Sequence, residues 1–363
     1  MIFALLGVFL ASPLLAQDTD FEPGWLVAGQ PYAKLGVMED GIHRFSLADL
    51  AAAGIPTTGI DPETLSLLEN GRAIPLHAAD GAFYFVGRRN TGHDEAWAYD
   101  NDADRLRSSA YNSLYSDTTQ YWLTWGATPG LRYAQILPDR YSGSLNGATD
   151  RDTLHLEADR VYYFGDSDDA AQPQYTRGEG YYDRLYAHTG SESISQTYPL
   201  ALDAFASTTD SLIVTVRLSG SSLPRHRVTL TLQTNGVPIG CATCTDEVDW
   251  SGYDFRTLRV AIPQNTAAGA LSVAVASHNE FNSIPNRVLV DYVQAAYSRT
   301  RRAGAASFFQ ETTGESTTTL TAGTASSLLI LQPTNHRAFP LSASAGVFTF
   351  SDSLQAPSRY WLT

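Results

Sequence analysis

The stretch Arg287–Arg299, RVLVDYVQAAYSR, decides the fold. Read as a strand with alternating side chains, it puts Val288, Val290 and Tyr292 on one face and Leu289, Val293, Ala295 and Tyr297 on the other. A strand apolar on both faces belongs inside a domain rather than at its rim. Asp291 alone interrupts it, either as a ligand or, as is commoner for a lone acid in such a strand, as a hydrogen-bonded core residue. Beyond Arg299 come Arg301 and Arg302 and then a polar, Gly/Ala/Ser/Thr-rich stretch, so a domain ends near residue 300.

Clean alternation precedes this stretch. Leu212, Val214, Val216 and Leu218 share a face, with Thr215 and Arg217 opposite. Val228, Leu230 and Leu232 repeat the pattern, as do Leu258, Val260 and Ile262, and then Leu271, Val273 and Val275. Half-buried strands of this kind pack as antiparallel sheets face to face. Together with Leu154–Phe164 and Ser193–Leu200 they predict a jelly-roll-like antiparallel β-sandwich over residues 150–300. Asn235-Gly236 marks a hairpin turn, and 165–180 reads as a long polar loop.

Upstream, residues 25–137 read as a β-rich N-terminal domain with one short helix, which makes the whole chain mainly β. Asp40-Gly41, Asn70-Gly71 and Asp80-Gly81 are turn pairs, because Gly accepts the positive φ of tight hairpins. Ser46 and Asp49 have capping-box spacing, Leu47, Leu50 and Ala51 supply an apolar face, and Gly54 with Pro56 stops the helix. An aromatic strand follows around Tyr121 and Trp122. Downstream, 301–363 reads as a Ser/Thr/Gly-rich linker and the start of a further β unit, with strand character resuming at Ser327–Leu331. It stops at Tyr360-Trp-Leu-Thr363, the letters of Tyr121–Thr124, inside an apolar segment, and so reads as truncated.

Residues 1–16, MIFALLGVFLASPLLA, have the apolar core and small final residue of a signal peptide, although no Lys or Arg precedes the run. A membrane anchor is the rival reading, but a span needs about 20 residues. The expectation is export to the periplasm, outer membrane surface or medium, with no membrane span. The net charge of −14, with Lys34 the only lysine, argues against a nucleic-acid partner. A salty habitat and a GC-rich genome explain such a composition equally well.

Candidate chemistry is sparse. Cys241 and Cys244, the chain's only cysteines, read as a local disulfide, with free thiols and a metal or redox pair as alternatives. Asp100, Asp102 and Asp104 alternate as calcium ligands do, making calcium the one cofactor suggested. Yet Arg105 and Tyr111 stand where an EF-hand loop needs Gly and Glu, so a solvated acidic loop is the plainer reading. The pairs Asp168/Asp169 and Asp246/Glu247 read as solvated loop residues, and His188, His226 and His278 as surface or loop residues. No nucleophile-elbow, zinc-peptidase or phosphate-loop motif occurs, so no catalytic residue is assigned. A carbohydrate- or protein-binding sandwich is the alternative function, with Trp250 and Tyr253 as exposed aromatics.

Several segments in order resemble the amino-terminal, non-catalytic region of the gingipain-type (C25) cysteine peptidases, nearest to the type IX secretion sortase. They are LGVMEDGIHRFSLADL (Leu35–Leu50) with Gly54-Ile55 and Ile60–Leu65, FYFVG (Phe83–Gly87) and YSDTTQYWLT (Tyr115–Thr124). RGEGYY (Arg177–Tyr182) and VLVDYVQAAYSR (Val288–Arg299) complete the set. The resemblance covers roughly residues 30 to 363. It implies a scaffold or binding region, partnered by a downstream peptidase domain and by type IX secretion components or secreted cargo. The family's His-Gly dipeptide is absent here, and Cys241 and Cys244 lie inside the sandwich, so no catalytic residue is carried over.

Overall fold

The computed structural model describes residues 24–92, 95, 111–113, 115–163, 166–167, 170–171, 180–311 and 313–363. The 1–16 leader, the acidic triplet Asp100, Asp102 and Asp104, and the pair Asp168/Asp169 lie outside the described residues. The chain falls into two compact units, one of Met1–Asp94, Tyr115–Ala148 and Arg301–Thr363, the other of Glu95–Leu114 and Thr149–Thr300. Among the described residues no helix is long and apolar enough to cross a membrane.

The second unit is an antiparallel β-sandwich. Its eight principal strands, one to eight in chain order, are Arg184–His188, Ile194–Pro199, Ser211–Gly220, Arg225–Thr234, Thr245–Ser251, Phe255–Pro263, Leu271–His278 and Asn286–Thr300. One sheet runs one–eight–three–six and the other two–seven–four–five, the order of a jelly roll. Thr149–Leu156 lengthens the first sheet by pairing with the second half of strand eight, along the edge whose first half holds strand one. The alternating residues meet between the sheets: Leu212, Val214, Val216 and Leu218 face Val228, Leu230, Val273 and Val275 in one core.

Strand eight departs from the simple alternation. Val216 pairs with Val293 but Leu218 pairs with Val290, so three steps on strand eight oppose two on strand three. This β-bulge at Asp291 and Tyr292 shifts the phase by one residue. Val288 and Val290 before it, and Val293, Ala295 and Tyr297 after it, therefore all enter the same core. The strand is not apolar on two faces in the way the sequence suggests. Its inner face is continuous across the bulge, and Leu289 packs on the other side against Tyr182 and Phe255. Asp291, at the bulge, is buried.

In the first unit, Tyr32–Val37, Thr119–Thr124, Ser66–Glu69 and Arg72–Ile74 form one sheet, and Gly41–Phe45, Ala82–Gly87 and His77–Ala79 a second. Leu35, Phe45, Leu67, Phe85, Tyr121 and Leu123 fill the space between. Asn70-Gly71 and Asp80-Gly81 close hairpins with positive φ at both residues of each pair. Asp40-Gly41 instead connects two sheets, because its flanking strands pair with different partners. The helix is Leu47–Ala52, and Ser46 and Asp49 form its capping box: Asp49 N donates to Ser46 Oγ at 3.1 Å and Ser46 N to Asp49 Oδ2 at 2.8 Å. The Ser46 hydroxyl, which donates to Asp49 Oδ2 at 2.7 Å, and the Ser46 N–H hold the Asp49 carboxyl below its usual range.

The Ser/Thr-rich stretch after Ala303, which composition marks as a linker, contains the strand Gly314–Thr321. Threonine is a good strand former, and Ser316, Thr318 and Leu320 alternate inward. With Val347–Leu354 it faces a sheet of Ser307–Gln310, Ser358–Leu362, Ser327–Gln332 and Arg337–Ser342. Phe308, Phe339, Phe350 and Tyr360 stack between them. Val86, Tyr133, Leu331, Ala338 and Trp361 form a further cluster that joins this sandwich to the first two sheets.

Candidate functional site

Four connections of the second unit meet at one end: residues 189–193 between strands one and two, 221–224 between three and four, 252–254 between five and six, and 279–285 between seven and eight. Such loops, carried by a rigid sheet pair, are where binding residues concentrate. Three side chains stand exposed on their tips, Leu223 at 64%, Phe281 at 44% and Ile284 at 61%. The Arg225 guanidinium lies over the Phe281 ring, 4.6 Å from its centre, and also pairs with Asp249. Arg227 is held by Glu247 at 2.9 Å and Glu280 at 2.5 Å, which raise its already high pKa.

Beneath the tips lies a layer of polar side chains placed by the strand ends. His188 is the last residue of strand one, His278 the last of strand seven, His226 the second of strand four and Asn286 the first of strand eight. His226 has Nδ1 2.8 Å from Asn286 Oδ1 and Nε2 3.0 and 3.1 Å from the Ser222 and Gly252 carbonyls. Asn286 Nδ2 donates to Asn279 Oδ1 at 3.0 Å, and Asn279 Nδ2 to the Gly190 carbonyl at 2.6 Å. His188 has Nδ1 3.0 Å from the Glu192 carbonyl and Nε2 2.9 Å from Ser277 Oγ. His278 bridges Ser193 Oγ at 2.8 Å and Thr229 Oγ1 at 2.9 Å. Burial pushes the His188 pKa below the ordinary histidine value, and the neighbouring His278 and His226 push the same way against Glu192.

His188 and His226 are therefore not surface or loop residues as their sequence context suggests; they are buried at strand ends, where they bond loop carbonyls and side chains, while His278, at the end of strand seven, is half-buried. Asp246 and Glu247 likewise belong to strand five rather than to a solvated loop, and Asp246 Oδ2 accepts the Arg259 N–H at 2.7 Å. Trp250 is not an exposed platform for sugars. It is buried, with its ring 4.9 Å from that of His226. Tyr253 is half-buried against the Tyr182, Phe255 and Leu289 cluster. Strand five alternates acids with Val248 and Trp250, and the inward phase of that alternation carries Trp250 into the core.

Cys241 and Cys244 are joined as a disulfide at the opposite end, with Cα atoms 5.3 Å apart. Cys244 belongs to the sandwich core. Among the described residues no group of His, Cys, Asp and Glu side chains is placed to hold a metal ion. A second titratable pair, absent from the sequence reading, is His155 and Glu157 at 2.6 Å, with the Tyr111 ring stacked 3.9 Å from His155 and Tyr292 at 4.9 Å. The arrangement at the loop end suits recognition: exposed apolar tips on a braced base, flanked by charges of both signs.

No protein-family model matches the chain, and no curated protein matches it. Among solved structures it is similar to dimeric latent PorU from Porphyromonas gingivalis, with a TM-score of 0.61 and 14% identity over 93% of this chain. The chain spans 32% of that protein's length. Overlays on the insecticidal delta-endotoxin Cry8Ea1 of Bacillus thuringiensis (TM-score 0.22, 8% identity, 49% of this chain and 27% of that one) and on an Arthrobacter globiformis isomalto-dextranase (0.23, 8%, 74% and 35%) are too loose to bear on the fold.

Proposed function

We propose that this chain is the non-catalytic leading region of an exported gingipain-like cysteine peptidase or type IX secretion sortase, acting as a scaffold and binding region for a peptidase domain. The observation that carries the reading is the overlay on PorU across 93% of the chain. Its likeness is of fold, and the ordered segments from Leu35 to Arg299 add a sequence resemblance to it. The cysteine chemistry agrees. A thiol peptidase needs a thiolate with a histidine in reach, and both cysteines of the chain are taken up by the disulfide. What remains is a pair of rigid β-units with a loop end suited to holding a partner, either the peptidase domain, a secretion component or secreted cargo. Export past the inner membrane belongs to the same proposal, with the 1–16 segment as its signal.

The test uses the full reading frame. The complete protein and a version lacking residues 24–363 are compared for folding and for cleavage of an unstructured peptide. The proposal expects the shortened form to misfold or to lose most of its activity on secreted protein substrates. A shortened form that folds and cleaves those substrates at the full protein's rate refutes the scaffold role.

A further inference from the structure

Leu223, Phe281 and Ile284 stand exposed on two adjoining connections of the loop end. The 221–224 connection is tied to the start of strand eight, just after the 279–285 connection. Ser221 N donates to the Arg287 carbonyl at 3.0 Å and Arg287 N to Ser222 Oγ at 2.9 Å. Single exposed apolar side chains are ordinary on a protein surface, but several gathered at one place mark a contact site. We propose that this end of the sandwich seats on a phospholipid bilayer, with the three tips entering the acyl boundary and Arg287 meeting headgroup phosphate.

Backbone and charge both favour lipid. Two of the tips are followed by proline, Leu223-Pro224 and Ile284-Pro285. Those peptide units carry no N–H into apolar surroundings, where an unpaired one is costly. A protein partner reading these loops would gain from the same N–H groups, so their loss favours lipid. The bonds of His226, Asn286 and Asn279 beneath hold the loops in shape, so little ordering is left to occur on contact. Four acids of this end are taken up: Asp249 by Arg225, Glu247 and Glu280 by Arg227, and Asp254 by Arg256. Arg287 is exposed, and among the described residues its guanidinium has no carboxylate partner. Glu192, bonded by Thr189 Oγ1 at 3.2 Å, is the acid left over. These charges nearly cancel, and a net charge of −14 gives no long-range pull toward anionic lipid. The tips therefore supply most of the attraction and Arg287 a smaller share. The bilayer is a further partner for this end, and the proposal stands whether or not a peptidase domain follows Thr363.

Vesicle flotation of the full chain tests this, with phosphatidylcholine alone and with equal parts of phosphatidylcholine and phosphatidylglycerol. Binding to both is expected. Phe281→Ser should lower the partition coefficient by about threefold to tenfold, the share of a phenylalanine that starts 44% exposed. Arg287→Gln should lower binding to the anionic vesicles about fivefold and to phosphatidylcholine by less. Leu223→Ser, Phe281→Ser and Ile284→Ser combined should abolish binding. No binding of the parent chain to either vesicle, or undiminished binding by the folded triple variant, overturns the proposal and leaves the tips to a protein partner. Should the triple variant not fold, Leu223→Trp decides: its added fluorescence should be quenched by brominated phosphatidylcholine, and a signal left unquenched overturns the proposal as well.

Discussion

Deleting Asp291 tests the bulge on which the sandwich core depends. With the extra residue in place, Val288 and Val290 enter the same core as Val293, Ala295 and Tyr297. Without it, strand eight regains regular alternation with Val290 two residues before Val293, so Val288 and Val290 stay on the inward face while Arg287 and Leu289 stay outward. In a strand without a bulge the same deletion would turn both valines outward; a fully buried valine contributes about 1.5–3 kcal/mol, so that would remove about 3–6 kcal/mol. Domains are stable by about 5–15 kcal/mol, so the deletion protein should fold and lose only about 1 kcal/mol, the usual cost of a single change. Urea unfolding followed by tryptophan fluorescence and far-UV circular dichroism measures the loss. As companions, Val290→Ala and Val293→Ala should each cost about 2 kcal/mol, from two lost methyl groups plus a partly relaxed cavity. A deletion protein that loses about 3–6 kcal/mol or fails to fold would refute the bulge, since that is the cost of turning both valines outward.

Three further outcomes follow from the packing. At Gly220 a Cβ would lie 2.0 Å from the Gly252 carbonyl oxygen and 2.9 Å from His226 Nε2, so Gly220→Ala should destabilise by about 1–3 kcal/mol, seen as a lower Tm. Asp352 is buried and binds the Arg337 guanidinium and the Tyr360 hydroxyl, the latter at 2.7 Å; Asp352→Ala should cost about 3–5 kcal/mol by urea denaturation, as removal of one partner of a buried pair does. Burial lowers the pKa of both His77 and His188 from 6.5. The unfolded chain then takes up protons first, so their contribution is whole above pH 6.5 and is lost as pH falls below it, with a limiting slope of about 1.4 kcal/mol per pH unit for each group. Equilibrium unfolding between pH 7.5 and 5 should show that decline, and stability rising with acid over this range would contradict it.

Much of the sandwich is legible in the sequence because most of its strands alternate inward apolar residues with outward polar ones. Leu212 to Leu218, Val228 to Leu232 and Leu271 to Val275 alternate cleanly, and their inward residues are those of the core. The Asn70-Gly71, Asp80-Gly81 and Asn235-Gly236 turns are equally plain, since each takes positive φ at both residues. Strand eight misleads because a bulge leaves no mark in an apolar run: Val, Leu and Tyr satisfy either phase. The histidines mislead for another reason. What makes His226 and His188 part of a layer is the Ser222, Gly252 and Glu192 carbonyls, and backbone oxygens are the same at every residue. One signal was present, in that His188, His226 and His278 each lie at the margin of an alternating segment. The junction of Val86 and Tyr133 with Leu331 and Trp361 spans more than two hundred residues of sequence, and local pattern carries no trace of it.

The central claim is that these β-units carry a cysteine peptidase domain without performing its reaction. The intact mass of the natural gene product, with the reading frame past Thr363, tests it most directly. The account predicts a longer protein whose added portion contains a His-Gly dipeptide followed by a cysteine in a peptidase domain. A natural product that ends at Thr363 and folds and works alone would contradict it.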